Sequence, residues 1–288
     1  IGTLGVLSET TYSRGIYKTA SFTVWAEEVA DDAGVSVSCP ESFASTTVTG
    51  YIPSVSHAEA FRLIAQATNT LLSVSRSGVI TFSEIGEDVL QTLTADDYRM
   101  GGGFSPSDDA IINTVSVEVA ALTVNPNIEE LAKVGGAGTH HIKYSPSFNQ
   151  GGSVVGGEIV SADYYADNAV VTITGGTLTV SGNKVQSGKS TVAVTRAQPG
   201  ERQYMYEVKG NNFIQLANAP AVAQYYLSLK ALHRKTVKME YRGYPYLEMG
   251  DVVAFNTGAM DTQPFIVTKN ALRLAGGMTG TLETRERP

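Results

Sequence analysis

The chain has 288 residues, 29 of them Gly, with a formal net charge of −7 and 17% charged residues, below the roughly 25% of an average soluble protein. That length buries substantial cores and divides into two or three domains, and a profile rich in Thr, Ser, Val and Gly suits short strands and many turns. The acidic balance argues against a surface that grips nucleic acid, which needs clustered Lys and Arg around phosphates.

Phe22, Trp25, Ala26, Val29, Ala30 and Ala33 recur at helical spacing and Gly34 follows as a left-handed C-cap, so a helix is predicted over 22–33 with Trp25 in the core. After Gly50-Tyr51-Ile52-Pro53, Ser56 and Glu59 form a capping box, and Phe61, Ile64, Ala65 and Thr68 make the buried face of a second helix. Leu72 and Val74 alternate with serines, Arg76-Ser77-Gly78 reverses the chain, and Ile80 and Phe82 return as the second arm of a hairpin.

A long strand is predicted from Ile111 to Val124 and a shorter one from Thr139 to Tyr144, separated by a polar loop at Asn125-Pro126 and a Gly-rich stretch. Residues 146–204 read as a small sheet punctuated by tight turns at Gly175-Gly176, Gly182-Asn183 and Gly188. Pro220 starts a third helix, with Val222, Tyr225, Tyr226, Leu229 and Leu232 on one side and His233, Arg234 and Lys235 near its negative end. Strands dominate from Val237 to Arg285.

Chemistry is thin along this chain. Gly188-Lys189-Ser190 resembles the end of a phosphate-binding loop, but five residues separate Gly182 from Gly188 where four are required, and Thr191-Val192-Ala193-Val194-Thr195 is a strand. Gly101-Gly102-Gly103 and Gly135-Gly136-Ala137-Gly138 read as turns, since neither joins a buried strand to a periodic helix. His140 and His141 are adjacent on a strand and face opposite ways; with His57 in a helix first turn and His233 at a helix end, no ligand cluster forms. Asp31-Asp32, Asp96-Asp97 and Asp108-Asp109 read as solvated loop acids, and Tyr241, Tyr244 and Tyr246 as packing between sheets. No catalytic, cofactor-binding or metal-ligating residue is named, and no cofactor is expected.

The longest apolar runs fall far short of the roughly 20 residues of a membrane helix, and no basic-then-apolar leader opens the chain, so it reads as soluble and unsecreted. Cys39, the one cysteine, cannot form an internal disulfide and reads as a buried structural thiol. A chain opening on Ile1 and ending at Pro288 reads as a trimmed piece of a longer protein.

Two segments carry a resemblance. Val48-Thr49-Gly50-Tyr51-Ile52-Pro53 leading into Ser56-His57-Ala58-Glu59-Ala60-Phe61-Arg62-Leu63-Ile64-Ala65, and Tyr246-Leu247-Glu248-Met249-Gly250-Asp251-Val252-Val253, resemble the tail-tip and baseplate hub proteins of tailed bacteriophages and prophages. The closing Leu272-Arg273-Leu274-Ala275-Gly276-Gly277-Met278-Thr279-Gly280-Thr281-Leu282-Glu283 is similar to the end of that hub region. The resemblance covers roughly 20–124 and 205–285, and 146–204 is specific to this chain.

It implies a mainly β fold with α+β parts and small β-barrel domains, divided as an α+β domain over 1–90, a discontinuous barrel-like domain over 91–145 with 205–288, and a β-rich insertion over 146–204. It also implies a non-catalytic virion structural component, assembled in the bacterial host cytoplasm: a homotrimeric ring joining tail tube to distal tip, partnered by other tail proteins. DNA would pass through its lumen without specific binding. The alternative is a carbohydrate- or receptor-binding β module, suggested by Tyr- and Gly/Thr-rich strands over 146–246. A cell-wall hydrolase is a third reading, drawn only from scattered acids and the company hub proteins keep.

Overall fold

The structure is a computed structural model that describes residues 3–75, 77–85, 88–97, 103–106, 112–230, 235–256, 264–274 and 277–287. The N-terminal part runs α1 (Thr3–Glu9), β1 (Thr11–Tyr12), β2 (Lys18–Ser21), α2 (Phe22–Ala33), β3 (Val37–Ser38), α3 (Ser42–Ser45), β4 (Thr47–Gly50), β5 (Val55–Ser56), α4 (His57–Thr68), β6 (Leu71–Val74) and β7 (Ile80–Ser83). Ser21 caps α2 by accepting from the Val24 amide, and Gly34 closes it at φ 67°, a conformation that costs glycine little. Ser56 caps α4 through the Glu59 amide. The other half of the expected capping box is not made: the Glu59 carboxylate turns to Arg62, at 2.7 Å.

Trp25, Phe22, Phe61 and Ile64 are buried in the first core as predicted, and rings link it throughout: Trp25 to Phe213 at 5.1 Å and Phe43 to Phe82 at 5.2 Å between centroids. Each such pair adds about 0.5–1.5 kcal/mol beyond its burial. The hairpin of β6 and β7 pairs Leu72 with Phe82 and turns at Gly78, φ 83°; Arg76 lies outside the described residues.

The middle of the chain runs β8 (Val89–Thr94), a 3-10 turn at Ala95–Asp97, β9 (Gly103–Pro106), β10 (Thr114–Gly135), β11 (Gly138–Lys143), β12 (Ser147–Val155), β13 (Ile159–Tyr164), β14 (Asn168–Ile173), β15 (Thr177–Thr195) and β16 (Met205–Val208). Here the sequence misleads. Asn125-Pro126 is no loop: β10 continues for 22 residues and absorbs the proline in a register shift between Val124 and Ile128. Asn125 stabilises that bulge, its side chain accepting from the Asn127 amide and donating to Glu129.

Nor do Gly182-Asn183 and Gly188 turn the chain, because β15 runs unbroken for 19 residues against β10. Gly182 serves close approach instead: an added Cβ would lie 3.1 Å from a Leu131 methyl and 3.2 Å from the Phe148 carbonyl oxygen. Gly175-Gly176 is a true turn, with Gly176 at φ 78°.

The resulting ribbon belongs to a four-stranded sheet in the order β12-β15-β10-β16, and β11-β14-β13 form a smaller sheet over its outer end. Val115, Val117 and Val119 at the inner end join the first core, while Leu178 and Val180 join Ile142, Val171 and Ile173 in a separate one. The last helix, α5 (Ala219–Lys230), buries Ala219, Val222, Ala223 and Leu227 in the first core. Tyr225, Tyr226 and Leu229, expected on its buried side, are only half-buried. Leu232, His233 and Arg234 lie outside the described residues.

The chain closes with β17 (Lys235–Tyr241), β18 (Val252–Asn256), β19 (Pro264–Leu274) and β20 (Met278–Glu286), which with β8 and β9 form one sheet in the order β8-β18-β19-β20-β17-β9. Its own core holds Leu93, Tyr241, Val253, Phe255, Phe265 and Leu282. The fold is mainly β, as expected, but this sheet is open. Its edges β8 and β9 do not pair with each other among the described residues, and β9 contributes only four residues to an edge, so no closed barrel is formed.

Candidate functional site

The most concentrated polar arrangement lies where α4 begins. His57 is 4% exposed, held there because Ser56 caps the helix and the His57 amide donates to the Thr10 carbonyl. Its Nδ1 lies 2.8 Å from Thr10 Oγ1 and its Nε2 3.0 Å from Asp32 Oδ2, while Arg14 Nε approaches the other Asp32 oxygen at 3.1 Å. An ionised carboxylate only accepts, so the ring donates from Nε2 to Asp32, while Nδ1 and the Thr10 hydroxyl share the second bond.

Tyr12 stands edge-on to the imidazole at 6.1 Å. Burial first, then Glu28 and Asp32, push its phenol well above the ordinary range. Beside the network opens a cleft of about 340 Å³ lined by Tyr12, Arg14, Ile16, Glu28, Asp32 and Tyr165, among others. Lys18 pairs with Glu28 and sits 4.8 Å over the Trp25 ring.

Hydroxyl, imidazole and carboxylate in this order resemble an acyl-transfer relay. Each bond of this network instead fastens one element to another: the segment after α1 through Thr10, α2 through Asp32, and α4 through His57. Asp32 is therefore a half-buried tether in a helix, not the solvated loop acid expected from the sequence.

Asp97 corrects the same expectation. It is 8% exposed and accepts from the Thr94 amide and hydroxyl and from Tyr244. Burial raises its carboxyl pKa, but the bonds from Thr94 and Tyr244 and the charge of Arg242 together hold it below the usual value. Asp108 and Asp109 lie outside the described residues.

The remaining singled-out residues scatter. Gly182 through Ser190 is extended strand, with Lys189 paired to Glu118 at 3.0 Å. Gly136 and Gly138 turn the chain at φ 98° and 125°; Gly101 and Gly102 lie outside the described residues. His140 Nε2 bonds the Gly136 carbonyl, whereas His141 lines a separate cleft of about 140 Å³ with Ser54 and Lys143. Among the described residues no group of three or more His, Cys, Asp or Glu could hold a metal ion.

Tyr241 is fully buried, Tyr244 half-buried and Tyr246 51% exposed, their tilted rings following one another at 5.9 and 5.4 Å. Cys39 is half-buried rather than buried, and burial, followed by the Glu27 charge, raises its thiol pKa to about 11. No described helix is long and apolar enough to cross a membrane.

Several large apolar side chains are left in solvent. Val155 is 78% and Val160 66% exposed around the β12–β13 turn, Ile128 is 66% exposed on β10, and Leu274 is 80% exposed at the end of β19.

No protein-family model matches this chain, and no curated relative matches it. Solved structures do. The tail protein from Neisseria meningitidis MC58 superposes with a TM-score of 0.56 at 12% identity, covering 98% of this chain and 72% of that one. The 43 kDa tail protein of prophage MuSo2 from Shewanella oneidensis gives 0.50 at 9% identity, covering 96% and 67%. A chain of a native gene transfer agent virion gives 0.50 at 12% identity, covering 91% of this chain but 46% of that one. At these identities the fold is what is shared, and it is the fold of phage and prophage tail proteins.

Proposed function

We propose that this chain is a structural component of a bacteriophage or prophage tail, placed at the tail tip or baseplate hub, where it joins tail tube to distal tip as a homotrimeric ring. The observation that carries the reading is the likeness over nearly the whole chain to proteins named for a place in a tail or a virion. The build agrees: two of three separate cores are joined by a long ribbon, which suits a part held by neighbours on several sides.

On this reading the role is non-catalytic, the location is the virion tail, and the partners are other tail proteins, with DNA passing the lumen unbound. The His57 network is then a clamp in the N-terminal part. Light scattering across a concentration series tests the assembly: three times the 30.5 kDa chain mass, with a central channel in electron micrographs, is expected. A strict monomer at every concentration would overturn the ring.

A further inference from the structure

Among the described residues the ribbon carries a free strand edge. β12 pairs with β15 only from Thr177 to Lys184, and the Val185 amide makes the last bond on that side, to the Pro146 carbonyl. On its other side β15 stays paired to β10 from Val185 to Thr195 with no register shift, and the Arg196 amide donates to Asn113.

Those two bonds set the alternation. Even-numbered residues of this stretch turn their backbone groups to β10; Ser187, Lys189, Thr191 and Ala193 turn theirs outward. Among the described residues no strand pairs with β15 along this side. The corresponding side of β10 is covered, by β16 over Thr114–Val117 and by the Ile214 carbonyl at the Ala120 amide.

Edges of this length are ordinarily blunted by proline, a bulge or unpaired lysines. From Gln186 to Ala193 there is no proline and no bulge, and the single lysine is engaged by Glu118 on the same face. Gln186 to Thr191 are all exposed, which leaves the edge open to a backbone approaching in the plane of the sheet.

The outward-turned residues also indicate the kind of partner. Ser187, Thr191 and Ala193 are small and Lys189 is already paired, so the edge offers hydrogen-bonding backbone but no side-chain pocket. Sequence-selective strand addition depends on such pockets. Without them, selection falls to the fixed spacing of identical subunits in a closed assembly.

We propose that the free edge of β15 over Ser187–Ala193 pairs with a strand of a second copy of this chain, forming part of the contact between subunits. This deepens the proposed function and rests on its assembly of identical copies.

The test is hydrogen exchange with residue resolution on the intact chain, at a concentration where light scattering finds monomer and at one where it finds the assembly. The amides of Ser187, Lys189, Thr191 and Ala193 are expected to slow at least about tenfold in the assembly. Thr191→Pro removes only an outward donor at an edge that tolerates proline, so it should keep the monomer's circular dichroism and lose the assembly, while Thr191→Val keeps both. An assembly whose four amides exchange as in the monomer, and which survives Thr191→Pro, overturns this pairing and leaves the ring standing. A chain monomeric at every concentration overturns both.

Discussion

Replacing His57 by alanine tests the clamp where it is most concentrated. The substitution removes a bond to the Asp32 carboxylate at 3.0 Å and one to Thr10 at 2.8 Å. A hydrogen bond to a charged partner contributes about 1.5–3 kcal/mol and a neutral one about 0.5–1.5 kcal/mol. Asp32 keeps Arg14 and a 15% exposed side chain, so its loss is partly offset; the emptied ring volume adds a cavity cost. The expected sum is about 3–4 kcal/mol, a large share of the roughly 5–15 kcal/mol that holds a domain folded.

Trp25, the single tryptophan, lies fully buried in the same core, so its fluorescence in a urea titration reports the loss directly. A cycle with Asp32→Asn should give a coupling of about 1–2 kcal/mol. A loss below about 1 kcal/mol, or no coupling, would show that the network fastens nothing.

Gly15→Ala should cost roughly 1–3 kcal/mol by the same fluorescence, because an added Cβ would lie 1.9 Å from the Ile52 carbonyl oxygen and the backbone must move; an unchanged midpoint would refute the close approach. The Tyr244–Asp97 bond should shape the pH dependence of the C-terminal sheet at both ends. Asp97 is held below its usual value, so its contribution is present above about pH 4 and lost as pH falls through the lowered folded value. Tyr244 is raised to about 12, chiefly by that bond, so its contribution is present below pH 10 and lost as pH rises through about 12. Tyr244→Phe should flatten both limbs in pH-dependent melting, and unchanged limbs would count against it. Cys39, with its thiol near 11, should alkylate slowly at neutral pH in the native chain and rapidly in urea; equal rates would contradict its protected setting.

What the sequence revealed followed from local rules. α2 and α4 were legible because apolar spacing agrees with the C-cap at Gly34 in one and the serine cap at Ser56 in the other; the caps at Ser21 and Asn69 emerge only in the structure. α1 was missed because, among its side chains over residues 5–9, only Leu7 is deeply buried, too little to show a period. The buried side of α5 was drawn too wide because its deepest contacts come from the small Ala219 and Ala223 beside Val222 and Leu227. The clamp was illegible for a different reason: Thr10, Asp32 and His57 are separated by 22 and 25 residues or more, and only the packing of α2 on α4 brings them together.

The ribbon shows how a partner strand overrides local turn signals, and why that matters for function. Asn125-Pro126, Gly182 and Gly188 each favour a break, yet β10 and β15 supply one another with enough cross-strand bonds to run through all of them. A strand of 22 residues spans on the order of 70 Å, and a two-stranded ribbon of that reach is marginal by itself. Here its inner end is anchored by Val115, Val117 and Val119 in the first core and its outer end by Leu178 and Val180 in another. The stretch between them on β15, Gln186–Lys189, is exposed, and beyond it Val192 and Val194 pack against the first core. The free edge begins in that stretch and runs on beside Val117 and Val119, so a third strand supplied by a neighbour would brace the ribbon from its exposed span into its inner anchor.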